Sequence, residues 1–300
     1  MDMTKNKCCR RGANLRRRRR RRRKILRSII FSCSIIAVAV FVAVGSSMIR
    51  SGDGRTNRYD VEAGNNTYDN AVIENSKISE KNKIQNNQSM LDDIMNSTQY
   101  PKQLKDLALK NEEALEFVYD YPAEHVKEHT IDLTEEASMD SVPLFVQWDK
   151  RWGYEKYSGN FFAASGCGPT TLSMVVVYLT HNWDASPIAV AKYSKEAGYS
   201  VDGSGSSWTL ISEGCMHYGV KAKAVALDES RMKAELDEGH PIVVNVGPGD
   251  FTDTGHFMVI TGYDDEGFSI NDPNSIEKSG KRWLFKNISS QIRAVWSMYV

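Results

Sequence analysis

Beyond residue 50 the chain holds only two cysteines, Cys167 and Cys215. A disulfide-stapled secreted domain normally shows more, in paired spacings, so that class is excluded. The two either pair with each other or leave at least one free for chemistry. The sequence also lacks a His-Glu-x-x-His core and any internal repeat. His125 and His129 stand four apart beside Glu124 and Glu128 with no third ligand near, which reads as a solvated acidic linker. Neither a metal nor an organic cofactor is expected.

Charge is missing altogether from residues 29–49, a stretch dominated by Ile, Val, Ala and Phe. Its length suffices to cross a hydrocarbon layer as a helix. Of the 38 Lys and Arg in the chain, fourteen lie in residues 1–27, eight of them consecutive from Arg16 to Arg23, against one acid, Asp2. The remainder carries 24 basic and 37 acidic residues, so a formal net charge of zero hides a basic tail and a body at −13. The positive-inside rule puts the tail in the cytoplasm and everything after about residue 50 outside. The apolar run exceeds a typical signal-peptide core, which favours an uncleaved signal anchor over residues 28–49. The arginine run reads as a topology signal attracted to anionic lipid rather than as a nucleic-acid site. The membrane is thus an expected partner and nucleic acid is not.

Five stretches follow from composition: a basic cytoplasmic tail (1–27), a transmembrane anchor (28–49), a flexible stalk too polar to fold alone (50–99), a helical pre-segment with linker (100–141) and a dense domain (142–300). Leu104, Leu107, Ala108, Leu115 and Val118 predict one amphipathic helix over 101–119, serving as a tether or as an inhibitory pro-segment. In the dense domain, helices are expected over 168–179, opening with Pro169, then from Ser186-Pro187 to near Gly198, and over 208–218 between Ser207 and Gly219. Strands follow at 221–227 and 241–246, flanking a short helix that begins at Asp228. Further strands at 256–263, 267–270 and 282–285 look like consecutive antiparallel neighbours. Helices first and strands second predict an α+β fold of two packed layers.

The run Ser165-Gly166-Cys167-Gly168-Pro169 puts a sulfur at the start of an apolar helix. Unpaired N–H groups and the helix dipole stabilise a thiolate there, the nucleophilic form of cysteine. A thiolate nucleophile needs a base. His256 opens the apolar run 257–263, where a polar ring at a strand mouth can project into a cleft. An imidazole base is oriented by an acceptor, and Asp272 follows the next strand, whose antiparallel return brings it beside His256. Asn271 points to the opposite face. Attack on a carbonyl also calls for an oxyanion stabiliser: the Cys167 N–H, and Gln147 as the leading side-chain candidate. The segments 203–207 and 247–254 are candidate rim loops contacting substrate.

In order along the chain stand Gln147-Trp148-Asp149-Lys150-Arg151-Trp152-Gly153-Tyr154, Gly166-Cys167-Gly168-Pro169-Thr170, Gly255-His256-Phe257 and Asp272-Pro273-Asn274-Ser275. This set resembles the bacterial cysteine peptidases of family 39 and their relatives, over about residues 100–300. The resemblance implies a papain-like fold, a peptide or protein substrate, and a Cys-His-Asp triad at Cys167, His256 and Asp272. Leader-processing members carry a glutamine a few residues before the cysteine. Here position 161 is Phe, and the nearest upstream glutamine is Gln147. The same triad also suits a cell-wall peptide amidase or a transpeptidase, and an inactive surface binding protein can share the fold.

Overall fold

The computed structural model describes residues 67–300 of the chain, with side chains from residue 79 onward. The basic tail and the apolar span at 28–49 lie outside the described residues. Among the described residues no helix is long and apolar enough to cross a membrane.

Two small hairpins, β1 (Lys156–Tyr157) with β2 (Asn160–Phe161) and β3 (Ser200–Val201) with β4 (Gly205–Ser206), precede the main sheet. That sheet contains β5 (Lys221–Ala224), β6 (Ile242–Val246), β7 (His256–Asp264), β8 (Gly267–Asn271), β9 (Arg282–Trp283) and β10 (Ile292–Tyr299). Its order is β5-β10-β6-β7-β8-β9, with every neighbouring pair antiparallel. Five helices are long enough to label: α1 (Thr67–Asn96), α2 (Lys102–Lys110), α3 (Cys167–Thr180), α4 (Pro187–Glu196) and α5 (Glu229–Asp237). The fold is α+β, as expected.

Strands β6 and β7 are covered on both faces, which is why they read as unbroken apolar runs rather than alternations. Ile242, Val244, Met258 and Ile260 pack towards Met232 and Leu236 of α5. Val243, Phe257 and Val259 pack with Leu172, Val175 and Val176 of α3. Helix α3 is buried from Gly168 to Tyr178, so it is apolar all round. Thr171 Oγ1 donates to the Phe257 carbonyl at 3.1 Å, fixing α3 against β7 beside His256.

Several expectations need correction. The polar stretch taken as stalk is helical over Thr67–Asn96, a segment without Pro or Gly, and its end docks through the fully buried Ile94. The helix expected over 101–119 breaks at Asn111, whose backbone is extended (φ −137, ψ 100) and whose side chain accepts from the Glu113 N–H at 3.0 Å. A local side-chain bond of this kind competes with helix continuation. A 3-10 turn (Glu112–Ala114) and a short helix (Leu115–Tyr119) follow. Leu104, Leu107, Leu115, Phe117 and Val118 pack on Phe161 and Ala163, a few residues before Cys167. The helix expected over 208–218 departs from α geometry at Glu213 (φ −127, ψ −47) and continues as a 3-10 turn, Gly214–Tyr218. The strand expected over 282–285 stops at Trp283, because Phe285–Ile288 is helical. The unforeseen β10 lies inside the sheet, between β5 and β6.

Candidate active site

Cys167 is the first residue of α3, preceded by Gly166 (φ −85, ψ 9). A Cβ at Gly166 would come within 2.5 Å of the Phe162 ring, so only glycine fits the approach to Cys167. Thr170 closes the first turn, its N–H and its hydroxyl both donating to the Gly166 carbonyl at 3.0 and 2.8 Å. Cys167 and Cys215 are both free thiols, which resolves the question the sequence left open. Burial favours the neutral Cys167 thiol. The hydrogen bond and charge of His256 outweigh it, helped by the backbone N–H groups of Phe257 and Gly168, and the pKa falls below the ordinary thiol value.

His256 opens β7 opposite Val246, at the end of β6, and is buried. The pairing of Val259 with Asn271 brings the end of β8 back beside it. Asp272 therefore meets the ring, with His256 Nε2 2.6 Å from Asp272 Oδ1. Since a carboxylate accepts, Nε2 carries the proton, which leaves Nδ1 as the nitrogen for the Cys167 thiol. Burial opposes the imidazolium, but the charge and hydrogen bond of Asp272, then those of Cys167, override it and raise the pKa. Asp272 is fully buried, and its Oδ1 also accepts the Asn274 N–H at 2.8 Å. Its Oδ2 is buried without a partner among the described residues. Asn271 turns the other way, as expected, donating to the carbonyls of Val142 and Pro143 at 3.2 and 2.9 Å.

Gln147 reaches the same place from twenty residues upstream of Cys167. Its backbone N–H donates to the Pro273 carbonyl at 2.7 Å, and its Nε2 donates to the Ala163 carbonyl at 2.7 Å. Two cleft lobes meet at Cys167. One, of about 670 Å³, is lined by segment 203–206, by Gly247 and by Trp208, and among the described residues its only charged lining residue is Arg293. The other, of about 520 Å³, is lined by Gln147, His256, segment 249–255 and residues of α2. Both expected rim loops thus border the cleft. No cluster of metal ligands occurs among the described residues, His125 and His129 included.

The model of the Peptidase_C39 like family matches residues 139–300. The chain belongs to the Peptidase_C39 like family. Among solved structures, it is similar to the peptidase domain of Streptococcus ComA, a bi-functional ABC transporter involved in a quorum-sensing pathway. That similarity is 19% identity over 53% of this chain and 96% of that one, with a TM-score of 0.38. A C39-like peptidase from Bacillus anthracis is similar at 18% identity, over 56% of this chain and 96% of that one, with a TM-score of 0.32. No curated protein matches significantly.

In this C39-like chain the start of α3 sits hard against the β3–β4 hairpin. A Cβ at Gly168 would meet Ser206 Oγ at 2.5 Å and Ser206 Cβ at 2.7 Å. Gly168→Ala therefore pushes the hairpin away and costs about 1–3 kcal/mol, the usual penalty of overpacking. Urea denaturation reads the loss as a lower midpoint; an unchanged midpoint would show that the hairpin yields freely. Two residues that bear on the site escaped sequence reasoning, Asn111 and Glu113. An Asn with an acid two positions on signals a helix start, but nothing in it signals a partner some 160 residues away.

Proposed function

We infer that the protein is a cysteine peptidase that hydrolyses peptide bonds through Cys167, His256 and Asp272. The observation that carries this reading is the buried His256, bonded through Nε2 to Asp272 at 2.6 Å and facing the Cys167 thiol with its other nitrogen. His256 Nδ1 takes the thiol proton, and the sulfur bonds to the substrate carbonyl carbon. The Cys167 N–H and the second amide hydrogen of Gln147 stabilise the oxyanion. The imidazolium then gives its proton to the departing amine as the C–N bond breaks, leaving a thioester. Water, deprotonated by His256, attacks that carbon; the C–S bond breaks, the acid leaves and the thiol regains its proton. Family membership supports peptidase chemistry, and the order of the four motifs supports these residues as its agents.

The charge pattern of the sequence supports the rest of the reading. Residues 28–49 anchor the protein as a single span, the basic tail 1–27 is cytoplasmic, and the domain over 142–300 works outside. Peptide-resolved mass spectrometry after brief exposure to iodoacetamide or an epoxysuccinyl peptide tests the chemistry. Cys167 is expected to label first and fast, His256→Ala to slow it, and a mixed peptide library to be cleaved. An inert Cys167 in folded protein, or a library left intact, would overturn the reading. A membrane-impermeant maleimide applied to intact cells tests the side, since it reaches Cys167 only from outside.

A further inference from the structure

The loop that carries Asp272 is held from two directions. From the family-matched region, Gln147 N–H donates to the Pro273 carbonyl at 2.7 Å and Trp148 Nε1 to the Asn274 carbonyl at 3.3 Å. From outside it come Asn111 and Glu113, well before residue 139 where the family match begins. Asn111 Nδ2 donates to the Asn274 carbonyl at 2.9 Å and lies 3.1 Å from Asn274 Oδ1. The Glu113 carboxylate accepts the Ser275 hydroxyl, the Ile276 N–H at 2.7 Å and the Glu277 N–H at 3.1 Å. Together these contacts take up polar groups of residues 274–277, directly after the acid of the triad. Asn274 in turn donates its N–H to Asp272 Oδ1, the oxygen that faces His256.

The neighbouring helix reaches the cleft itself. Gln103, Asp106, Leu107 and Lys110 of α2 line the lobe that contains Cys167 and His256. The lobe stays open with α2 in this position, so the helix is a wall and not a plug.

We propose that α2 together with Asn111 and Glu113 is a working part of the active site, in which Asn111 and Glu113 are positioning residues that hold Asp272 against His256 through the 274–277 loop. This rests on the reading of Cys167, His256 and Asp272 as a triad. It also opposes an inhibitory role for the pre-segment: loss of these contacts weakens the site instead of releasing it. A displaced Asp272 stabilises the imidazolium less, so the pKa of His256 falls and that of the Cys167 thiol rises.

The test uses the full chain and follows the alkylation rate of Cys167 by iodoacetamide against pH, resolved by peptide mass spectrometry. The charged partners of His256 are Asp272 and Cys167, so the upper inflection of this profile reads their geometry. Glu113→Ala is expected to move that inflection down by about one pH unit. It should also lower kcat on a cleaved peptide about tenfold or more with KM little changed, as small misplacements of catalytic groups do. Glu113→Gln keeps an acceptor for Ser275 and restores part of both effects. Should Glu113→Ala fail to fold, Glu113→Gln and Asn111→Ala carry the same measurement. Glu112→Gln on the same turn, whose partner is Asn87, leaves the profile unchanged. A lower melting temperature with an unshifted profile in every folded Glu113 and Asn111 variant would overturn the proposal and reduce the contacts to stability alone. A shifted profile in a protein that cleaves no peptide would uphold the positioning and overturn the peptidase reading, so the two fail separately.

Discussion

Cys167→Ala is expected to abolish peptide cleavage while leaving the fold intact. The substitution keeps Cβ and removes one sulfur from a residue that is only half-buried at a helix start, so no large cavity results. The thiol's pKa is depressed by His256 and by the N–H groups of Phe257 and Gly168, an arrangement directed at a charged sulfur and useless to a methyl group. The expected fall in kcat is on the order of 10⁶, as when a nucleophile is removed from a serine peptidase triad. Cys167→Ser is hardly better, because an alcohol at this site is not ionised by an imidazole tuned to a thiol. Product release from a fluorogenic peptide, with melting temperature as the control, measures the loss. Cleavage surviving at a tenth of the original rate in Cys167→Ala would remove Cys167 from the mechanism. Cys215→Ala, in a fully buried residue with no cleft contact, provides the matched comparison.

Asp272→Ala is the second large effect, and it appears in rate and pH profile together. The thiol's pKa lies below its ordinary value and the imidazolium's above its own, so the ion pair exists across the interval between the two. Acid ends it by protonating the thiolate, and base ends it by stripping the imidazolium. The two inflections belong to the pair rather than to either residue. Removing Asp272 deletes the largest force that raises the imidazolium, its charge, together with the 2.6 Å hydrogen bond. The interval then narrows chiefly from the alkaline side, by about 1–3 pH units. The rate falls on the order of 10⁴, the loss seen when a triad acid is removed. Asp272→Asn loses less, since an amide oxygen can still accept from Nε2. Its amide nitrogen, however, lands where Asp272 Oδ2 is already buried without a partner among the described residues. An alkaline limb that stays in place in Asp272→Ala would show that the carboxylate does not govern the ring.

The parts of this site that the sequence made legible are those fixed by local chemistry. Gly166 and Gly168 flank Cys167 because a ring at Phe162 and a hydroxyl at Ser206 leave no room for side chains, and glycine on both sides of a cysteine is visible without coordinates. The partnership of His256 and Asp272 was legible because antiparallel neighbours with a short turn bring their far ends together, as the pairing of Val259 with Asn271 does. Gln147 was harder: its place in the cleft depends on a bond to the Ala163 carbonyl that no spacing rule contains. Strand β10 was overlooked because Arg293, Ala294 and Ser297 dilute its apolar pattern. A register shift between Ile292 and Ala294 breaks the alternation further. The roles of Asn111 and Glu113 are long-range hydrogen bonding, and a single sequence carries no trace of a bond between a turn near residue 112 and a loop near residue 275.

One consequence lies in the pair of thiols that never became a disulfide. Cys167 stands at an open cleft with its pKa depressed, whereas Cys215 is fully enclosed and burial pushes its thiol up to about 11. The folded domain therefore offers a reagent one sulfur and withholds the other. Once Cys167 is capped, any further modification within this domain must wait for Cys215 to be uncovered. The slow reaction then counts openings of the helical layer around Leu210, Ile211 and Val220. The molecule thus contains its own clock for local unfolding, and a capped sample can be followed hour by hour in dilute buffer without denaturant.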